Sequence, residues 1–94
     1  MSENTTCHLY TMREEEEIKK IGPRIAFYRK QNRLTQKMLA EKANISKSYL
    51  GKIESTHAKT TLSLGILYKL AWTLQIEPYC LLRPIQEDYL KLDR

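Results

Sequence analysis

Glycine, phenylalanine and cysteine are all scarce in this chain of 94 residues, which has three glycines, one phenylalanine and two cysteines. It also lacks any segment in which Val, Ile and Thr alternate with polar residues, the pattern of a half-buried strand. Leu, Ile and Ala are plentiful, and this composition suits helices better than sheets. The sequence therefore predicts an all-α fold, and its length predicts one domain with one modest core.

Residues that could hold a metal or perform catalysis are equally sparse. The cysteines Cys7 and Cys80 and the histidines His8 and His57 lack the spacing of zinc ligands, so we expect no metal and no cofactor. We find no Ser/His/Asp set, phosphate-binding glycine loop or convergent carboxylate pair, and we expect no enzymatic activity. Since the sequence also lacks a signal region and an apolar span of about 18 residues, we expect a soluble cytoplasmic protein with reduced thiols.

Positive charge is concentrated in the middle of the chain, although the net charge is only +5. Residues 1–18 carry one Arg against five Glu, whereas residues 19–59 carry eleven Lys and Arg against two Glu. Residues 60–94 carry four charged residues of each sign and therefore no net charge. A basic block can be a solvated helix face, but clustered cations also raise the local potential that attracts phosphate. The middle segment is therefore predicted to face a polyanion.

Capping residues and prolines divide the chain into five short helices. Thr35, Ser46 and Ser63 precede the second, third and fourth helices and are expected to cap them. Pro23 is expected in the first turn of the first helix, which runs to about Asn32. Pro78 begins the fifth helix, PYCLL. The pattern predicts a compact five-helix domain.

Apolar residues at helical spacing predict which side of each helix faces the core. In the first helix the inward positions are Ile21, Ile25 and Tyr28. Its outward positions are Arg24, Lys30 and Arg33. In the fourth helix the inward positions are Leu64, Leu67, Ala71 and Leu74.

The two ends of the chain differ from this middle part. Residues 1–17 form a predicted polar and acidic N-terminal extension, and residues 18–83 form the predicted five-helix domain. Residues 84–94 form a C-terminal tail in which Ile85, Tyr89 and Leu92 have helical spacing, which predicts a further terminal helix.

The segment LTQKMLAEKANISKSYLGKIES, residues 34–55, contains two short helical patterns separated by a turn at Ala43-Asn44-Ile45-Ser46. Leu50 and Ile53 are predicted to anchor the second helix of the pair to the core. The positions left on its outer side are Lys47, Ser48, Tyr49, Gly51 and Lys52. A helix held in this way fits the major groove of DNA, about 12 Å wide, where Lys and Ser can hydrogen-bond base edges and Tyr can contact thymine methyl groups or phosphate.

This segment resembles the helix-turn-helix of the phage repressor and Cro family, also called the XRE family. The resemblance extends over about residues 18–82, and LSLGILYKLAWTLQIEPYCLL resembles the closing helices of that family. Its matching motifs are Thr35-Gln36, Leu39-Ala40, Asn44-Ile45-Ser46, Tyr49-Leu50 and Lys52-Ile53-Glu54. The resemblance implies a transcriptional regulator that binds a specific double-stranded DNA operator, most simply a dimeric repressor associated with the nucleoid.

The resemblance also implies roles for individual residues. The predicted base-reading residues are Lys47, Ser48, Tyr49 and Lys52, with Tyr49 at the margin. The predicted phosphate contacts are Thr35, Gln36, Lys37, Ser46, His57 and Lys59. Glu54 is expected to pair with Arg29 or Arg33. Gly51 and the longer loop that follows Ser55-Thr56 depart from the common pattern of the family.

The sequence allows two alternatives for an aromatic ridge and for the partner of the helix-turn-helix. The ridge of Tyr68, Trp72 and Ile76 either completes the core of the monomer or forms a dimer face with Tyr79 and Leu82, since aromatic residues are enriched in interfaces. The helix-turn-helix could also serve as a module that binds a partner protein, or belong to an antitoxin or a restriction-system controller.

Overall fold

The computed structural model describes residues 15–55 and 62–85, and these two ranges are helical and contain no strand. Residues 15–19 form a helical turn that is followed by four α-helices and a 3-10 helix. The elements in order are α1 (Ile21–Gln31), α2 (Gln36–Ala43), α3 (Lys47–Glu54), α4 (Leu64–Thr73) and the 3-10 helix Pro78–Leu81. The predicted all-α fold is confirmed, and the predicted fifth helix is a single 3-10 turn. Neither range contains a helix long and apolar enough to span a membrane.

The capping predictions for α2, α3 and α4 are confirmed. The side-chain oxygens of Thr35, Ser46 and Ser63 accept hydrogen bonds from the backbone N–H three residues later, at 3.0 to 3.1 Å. Each bond satisfies one of the N–H groups that a helix start leaves without an intrahelical partner. Helix α1 begins at Ile21, earlier than predicted, so Pro23 occupies its third position, where its missing N–H costs no intrahelical bond.

A left-handed residue ends or follows three of the helices. Arg33, Asn44 and Gln75 have φ angles of 58°, 58° and 62°. In each case the next residue donates a backbone hydrogen bond to a carbonyl of the preceding helix, as Ile45 does to Ala40 at 2.9 Å. These bonds satisfy the last carbonyls of the helix and turn the chain sharply. The turn at Asn44 produces the short connection between α2 and α3 that the sequence predicted.

The core lies where the four helices and the 3-10 helix meet. Its fully buried large side chains come from all five elements and the turn after α4: Ile25, Leu39, Leu50, Leu70, Leu74 and Leu81. Helix α1 crosses the end of α3 so closely that a Cβ atom on Gly22 would collide with the carbonyl oxygen of Ile53. The absence of a side chain at Gly22 therefore allows α1 to pack directly against the backbone of α3.

Two predicted orientations are wrong. Arg24 was expected outside, but its side chain is buried; its Nη1 donates to the carbonyl oxygen of Leu81 at 3.2 Å and its Nη2 lies 3.8 Å from Glu17 Oε1. The hydrogen bond to Leu81 and the opposite charge of Glu17 offset the cost of burying the guanidinium. Leu64 was expected inside, but it is 66% exposed, and the buried residues of α4 are Leu67, Leu70 and Ala71.

Candidate nucleic-acid interface

Helix α3 has one face in the core and the other in solvent. Leu50 is fully buried and Ile53 is 7% exposed. Three side chains that can donate hydrogen bonds, those of Lys47, Ser48 and Lys52, are exposed. Tyr49 is half-buried and packs against the edge of the core. The predicted base-reading residues therefore share one helix, with the two lysines and Ser48 exposed and Tyr49 at the edge of the core.

The start of α2 lies beside this exposed face. Gln36, the first residue of α2, is half-buried and its Nε2 donates to Glu54 Oε1 of α3 at 2.9 Å. A Cβ atom on Gly51 would lie 3.8 Å from Gln36 Oε1, an ordinary van der Waals contact. Because free N–H groups and the helix dipole give the start of α2 a partial positive charge, this position suits a phosphate.

Two other residues predicted to contact phosphate adjoin Gln36 in the chain, and a third lies at the start of α3. Lys37 is exposed on the first turn of α2. The hydroxyl oxygens of Thr35 and Ser46 accept their capping bonds from Met38 and Tyr49, so each O–H can still donate to a phosphate oxygen. Thr35, Gln36 and Lys37 thus lie together at the start of α2, and Ser46 lies at the start of α3. His57 and Lys59 lie outside the described residues.

An ion pair fixes α3 to α1 beneath this surface. Glu54 accepts from Arg29 Nε at 2.8 Å and from Arg29 Nη2 at 3.1 Å, and both side chains are nearly buried. Arg29 Nη1 also donates to the carbonyl oxygen of Leu34 at 2.8 Å. Of the two predicted partners of Glu54, Arg29 is confirmed. The hydrogen bond between Glu54 and Gln36 was missed, because sequence spacing gives no sign of a contact between the start of α2 and the end of α3.

Helix α4 exposes apolar residues where α3 exposes polar ones. Leu64, Tyr68 and Trp72, spaced four residues apart, are 66%, 40% and 66% exposed, and they form what we call the α4 stripe. The rings of Tyr68 and Trp72 lie 5.4 Å apart. The stripe is therefore not part of the monomer core, although Ile76, the third member of the predicted ridge, packs against that core.

Two further apolar side chains are exposed on and just after the 3-10 helix. Tyr79 and Leu82 are each 54% exposed. The guanidinium of Arg83 lies over the ring of Tyr79, 4.6 Å from its centroid. Within residues 15–55 and 62–85, His, Cys, Asp and Glu side chains do not gather in the groups of three that a metal ion would need.

Comparison with known proteins places the chain in a family. The helix-turn-helix family profile matches residues 25–79. The immunity repressor protein of Bacillus phage phi105 is 51% identical over 43 residues, which cover 46% of this chain and 30% of the repressor. The HTH-type transcriptional regulator SinR of Bacillus licheniformis is 39% identical over 67 residues, 71% of this chain and 60% of SinR. The chain thus spans between about a third and three fifths of the length of these relatives.

A solved structure agrees with the sequence matches. The crystal structure of SinR, the master regulator for biofilm formation, in complex with DNA superimposes with a TM-score of 0.62 at 40% sequence identity. The match covers 67% of this chain and 98% of the SinR chain in that structure. The chain therefore belongs to the helix-turn-helix family of phage-repressor, or XRE, type.

Proposed function

We propose that this protein is a transcriptional regulator that binds a specific double-stranded DNA sequence, and that it acts as a dimeric repressor. The observation that carries the proposal is the arrangement of α3. Its apolar residues Leu50 and Ile53 are buried, and its exposed side bears Lys47, Ser48 and Lys52. A short helix held by one face, with hydrogen-bond donors on the other, can enter the major groove and read base edges.

The relatives support this proposal. The SinR structure was determined in complex with DNA, and the phage relative is an immunity repressor. We assign DNA binding to residues 18–83, and the described part of this range contains all four helices and the 3-10 helix. Residues 1–17 form an N-terminal extension and residues 84–94 a C-terminal tail in this assignment. A regulator of this type would act in the cytoplasm, at the nucleoid, without a cofactor.

The residues have separate tasks in this proposal. Base reading falls to the outer side of α3, whose residues are Lys47, Ser48, Tyr49 and Lys52. Phosphate binding falls to the helix starts and to the loop after α3, through Thr35, Gln36, Lys37, Ser46, His57 and Lys59. Phosphate contacts fix the register of the protein on the duplex, whereas base contacts carry the sequence preference.

Dimerisation would use the exposed apolar surface. The α4 stripe residues Tyr68 and Trp72, together with Tyr79, offer aromatic side chains of the kind enriched in interfaces, and Leu82 adds an exposed aliphatic one. Ile76 is half-buried against the core, and we assign it to the same interface. A two-fold symmetric dimer presents two copies of α3 to half-sites one helical turn, about 34 Å, apart.

Selection of binding sites from random DNA duplexes tests this proposal directly. We expect enrichment of a two-fold symmetric sequence with half-sites separated by one helical turn. Enrichment of an asymmetric short site would contradict the dimer and leave sequence-specific binding in place. Absence of any enriched sequence at low salt would contradict DNA reading itself.

One observation favours a second function, which is binding of a partner protein. The α4 stripe is apolar and exposed, so it could hold a protein partner instead of a second copy of the chain. In that case a regulatory partner protein would control the activity of this protein. A stable monomer that selects no DNA sequence would favour this function over the first.

A further inference from the structure

Glu54 makes hydrogen bonds to two side chains that belong to different helices. Its Oε2 accepts from Arg29 Nε of α1, and its Oε1 accepts both from Arg29 Nη2 and from Gln36 Nε2 of α2. The side chain of Glu54 is only 6% exposed and that of Arg29 11%. This carboxylate therefore links the core-facing helix α1 to the start of α2.

The link fixes the orientation of the Gln36 amide. A carboxylate accepts hydrogen bonds and cannot donate them, so the amide nitrogen of Gln36, and not its oxygen, must face Glu54. One N–H of the amide is then used and the second is left for another acceptor, while Oε1 lies next to Gly51 and the residue as a whole is half-buried. A donor is thus presented in a defined direction at the positive end of α2.

The charge of Glu54 would oppose a nearby phosphate if it were not compensated. Arg29 supplies that compensation through its two bonds to the carboxylate. Charge-assisted pairs of this bidentate kind are geometrically specific. Arg29 therefore allows an acidic residue to lie directly behind a phosphate-binding position.

We propose that Glu54, held by Arg29, is a positioning residue for DNA binding: it orients Gln36 before DNA arrives so that the free amide N–H donates to a backbone phosphate. This inference rests on the proposed DNA-binding function. A side chain that is already ordered loses less conformational freedom on binding, so pre-orientation raises affinity without adding a contact. Glu54 itself does not touch the DNA.

The test is an ethylation-interference footprint on the selected duplex, which reports each phosphate contact separately. Gln36→Ala first identifies the phosphate that Gln36 contacts, as the position in each half-site where interference weakens. The double variant Arg29→Met with Glu54→Leu then removes the acceptor while replacing the ion pair by apolar side chains, a change that proteins often tolerate. We expect it to lose interference at the same phosphate and to bind about three- to tenfold more weakly, as for the loss of one hydrogen bond.

The matched control is Glu54→Gln. Its amide oxygen can still accept from Gln36, but the charge of Arg29 is left without a counterion, so the melting temperature should fall while interference at the Gln36 phosphate persists. If Glu54 only stabilised the fold, Glu54→Gln should instead weaken interference at all phosphates, in proportion to its loss of stability. Retention of interference at the Gln36 phosphate in the folded double variant would overturn the positioning role alone. Failure of the wild-type chain to bind any duplex would overturn the proposed function, and this inference with it.

Discussion

Helices α3 and α4 are built alike but leave different chemistry exposed. Each follows a capping serine, Ser46 or Ser63, whose hydroxyl accepts from the third residue of the helix. Each buries aliphatic residues, with Leu50 in α3 and Leu70 in α4 fully inaccessible. Lysines and a serine cover the outer side of α3, whereas leucine and aromatic rings cover that of α4. The fold constrains only the buried faces, so the outer faces are available for two different kinds of binding.

The largest expected effect is on stability, and it comes from removing the buried leucine that anchors each of the two helices. Leu50→Ala and Leu70→Ala each remove a fully buried side chain, and each should lower the free energy of unfolding by about 2–5 kcal/mol through lost burial and the cavity left behind. Urea unfolding at fixed protein concentration measures this. The exposed residue Lys42 offers a control, since Lys42→Ala should change stability by less than about 0.5 kcal/mol. A small effect of either leucine change would show that its helix is not anchored as described.

A change confined to the outer face of α4 should separate association from folding. Trp72 is 66% exposed, so Trp72→Ala should leave the stability of the monomer nearly unchanged. If the α4 stripe is the dimer face, loss of this aromatic anchor should raise the dimer dissociation constant by about 30-fold, the effect of about 2 kcal/mol. Sedimentation equilibrium measures the constant, with Lys69→Ala on the same helix as control. Equal effects of the two variants would exclude Trp72 from the interface.

On the outer face of α3, the corresponding change should affect DNA binding instead. Lys52→Ala should weaken binding to the selected duplex by about 1–3 kcal/mol and relax preference at one position per half-site. Lys37→Ala should weaken binding to all duplexes by the same factor and reduce the slope of log affinity against log salt concentration by about one. Gln36→Ala removes no charge, so affinity should fall with the slope nearly unchanged.

Salt titrations of each variant on selected and scrambled duplexes measure these differences, again with Lys69→Ala as control. If Lys52→Ala lowers both affinities equally, Lys52 does not read a base. If Lys69→Ala behaves as Lys37→Ala does, the cationic surface that binds phosphate extends to α4.

The smallest expected effect uses a glycine in each helix. A Cβ atom at Gly51 would lie 3.8 Å from Gln36 Oε1, and one at Gly65 would lie 4.0 Å from Ser63 Oγ, so both positions have room. Gly51→Ala should raise stability by up to about 1 kcal/mol because of helix propensity, and Gly65→Ala by less, since it lies in the first turn.

Only Gly51→Ala should affect DNA binding, because only Gly51 lies on the face proposed to approach the duplex. Thermal unfolding and a duplex titration of both variants measure this difference. Unchanged affinity of Gly51→Ala would show that the DNA does not approach the α3 backbone closely at this point.

The sequence predicted the parts of the fold that depend on local chemistry. The caps at Ser46 and Ser63 and the turn at Asn44 were all identified, because short polar side chains and backbone geometry act within a few residues. The burial of Arg24 was missed, because its acceptor Leu81 lies 57 residues away in the chain. The bond between Gln36 and Glu54 was missed for the same reason.

The orientation of α4 shows a second limit. Helical periodicity gave Leu67 and Ala71 correctly, but it also gave Leu64, which is 66% exposed. For the same reason, the sequence left open whether Trp72 is buried. Periodicity shows which residues share one side of a helix, and only the packing of the other elements decides which of them are buried.

One NMR experiment tests the central claim, that α3 and α4 bind different kinds of partner. Backbone amide shifts of the ¹⁵N-labelled protein are followed first on dilution without DNA and then on titration with the selected duplex at constant protein concentration. We expect dilution to shift the amides around Tyr68 and Trp72, and DNA to shift those from Lys47 to Lys52 and that of Gln36. The reverse pattern, or movement of both helices in both experiments, would contradict the account.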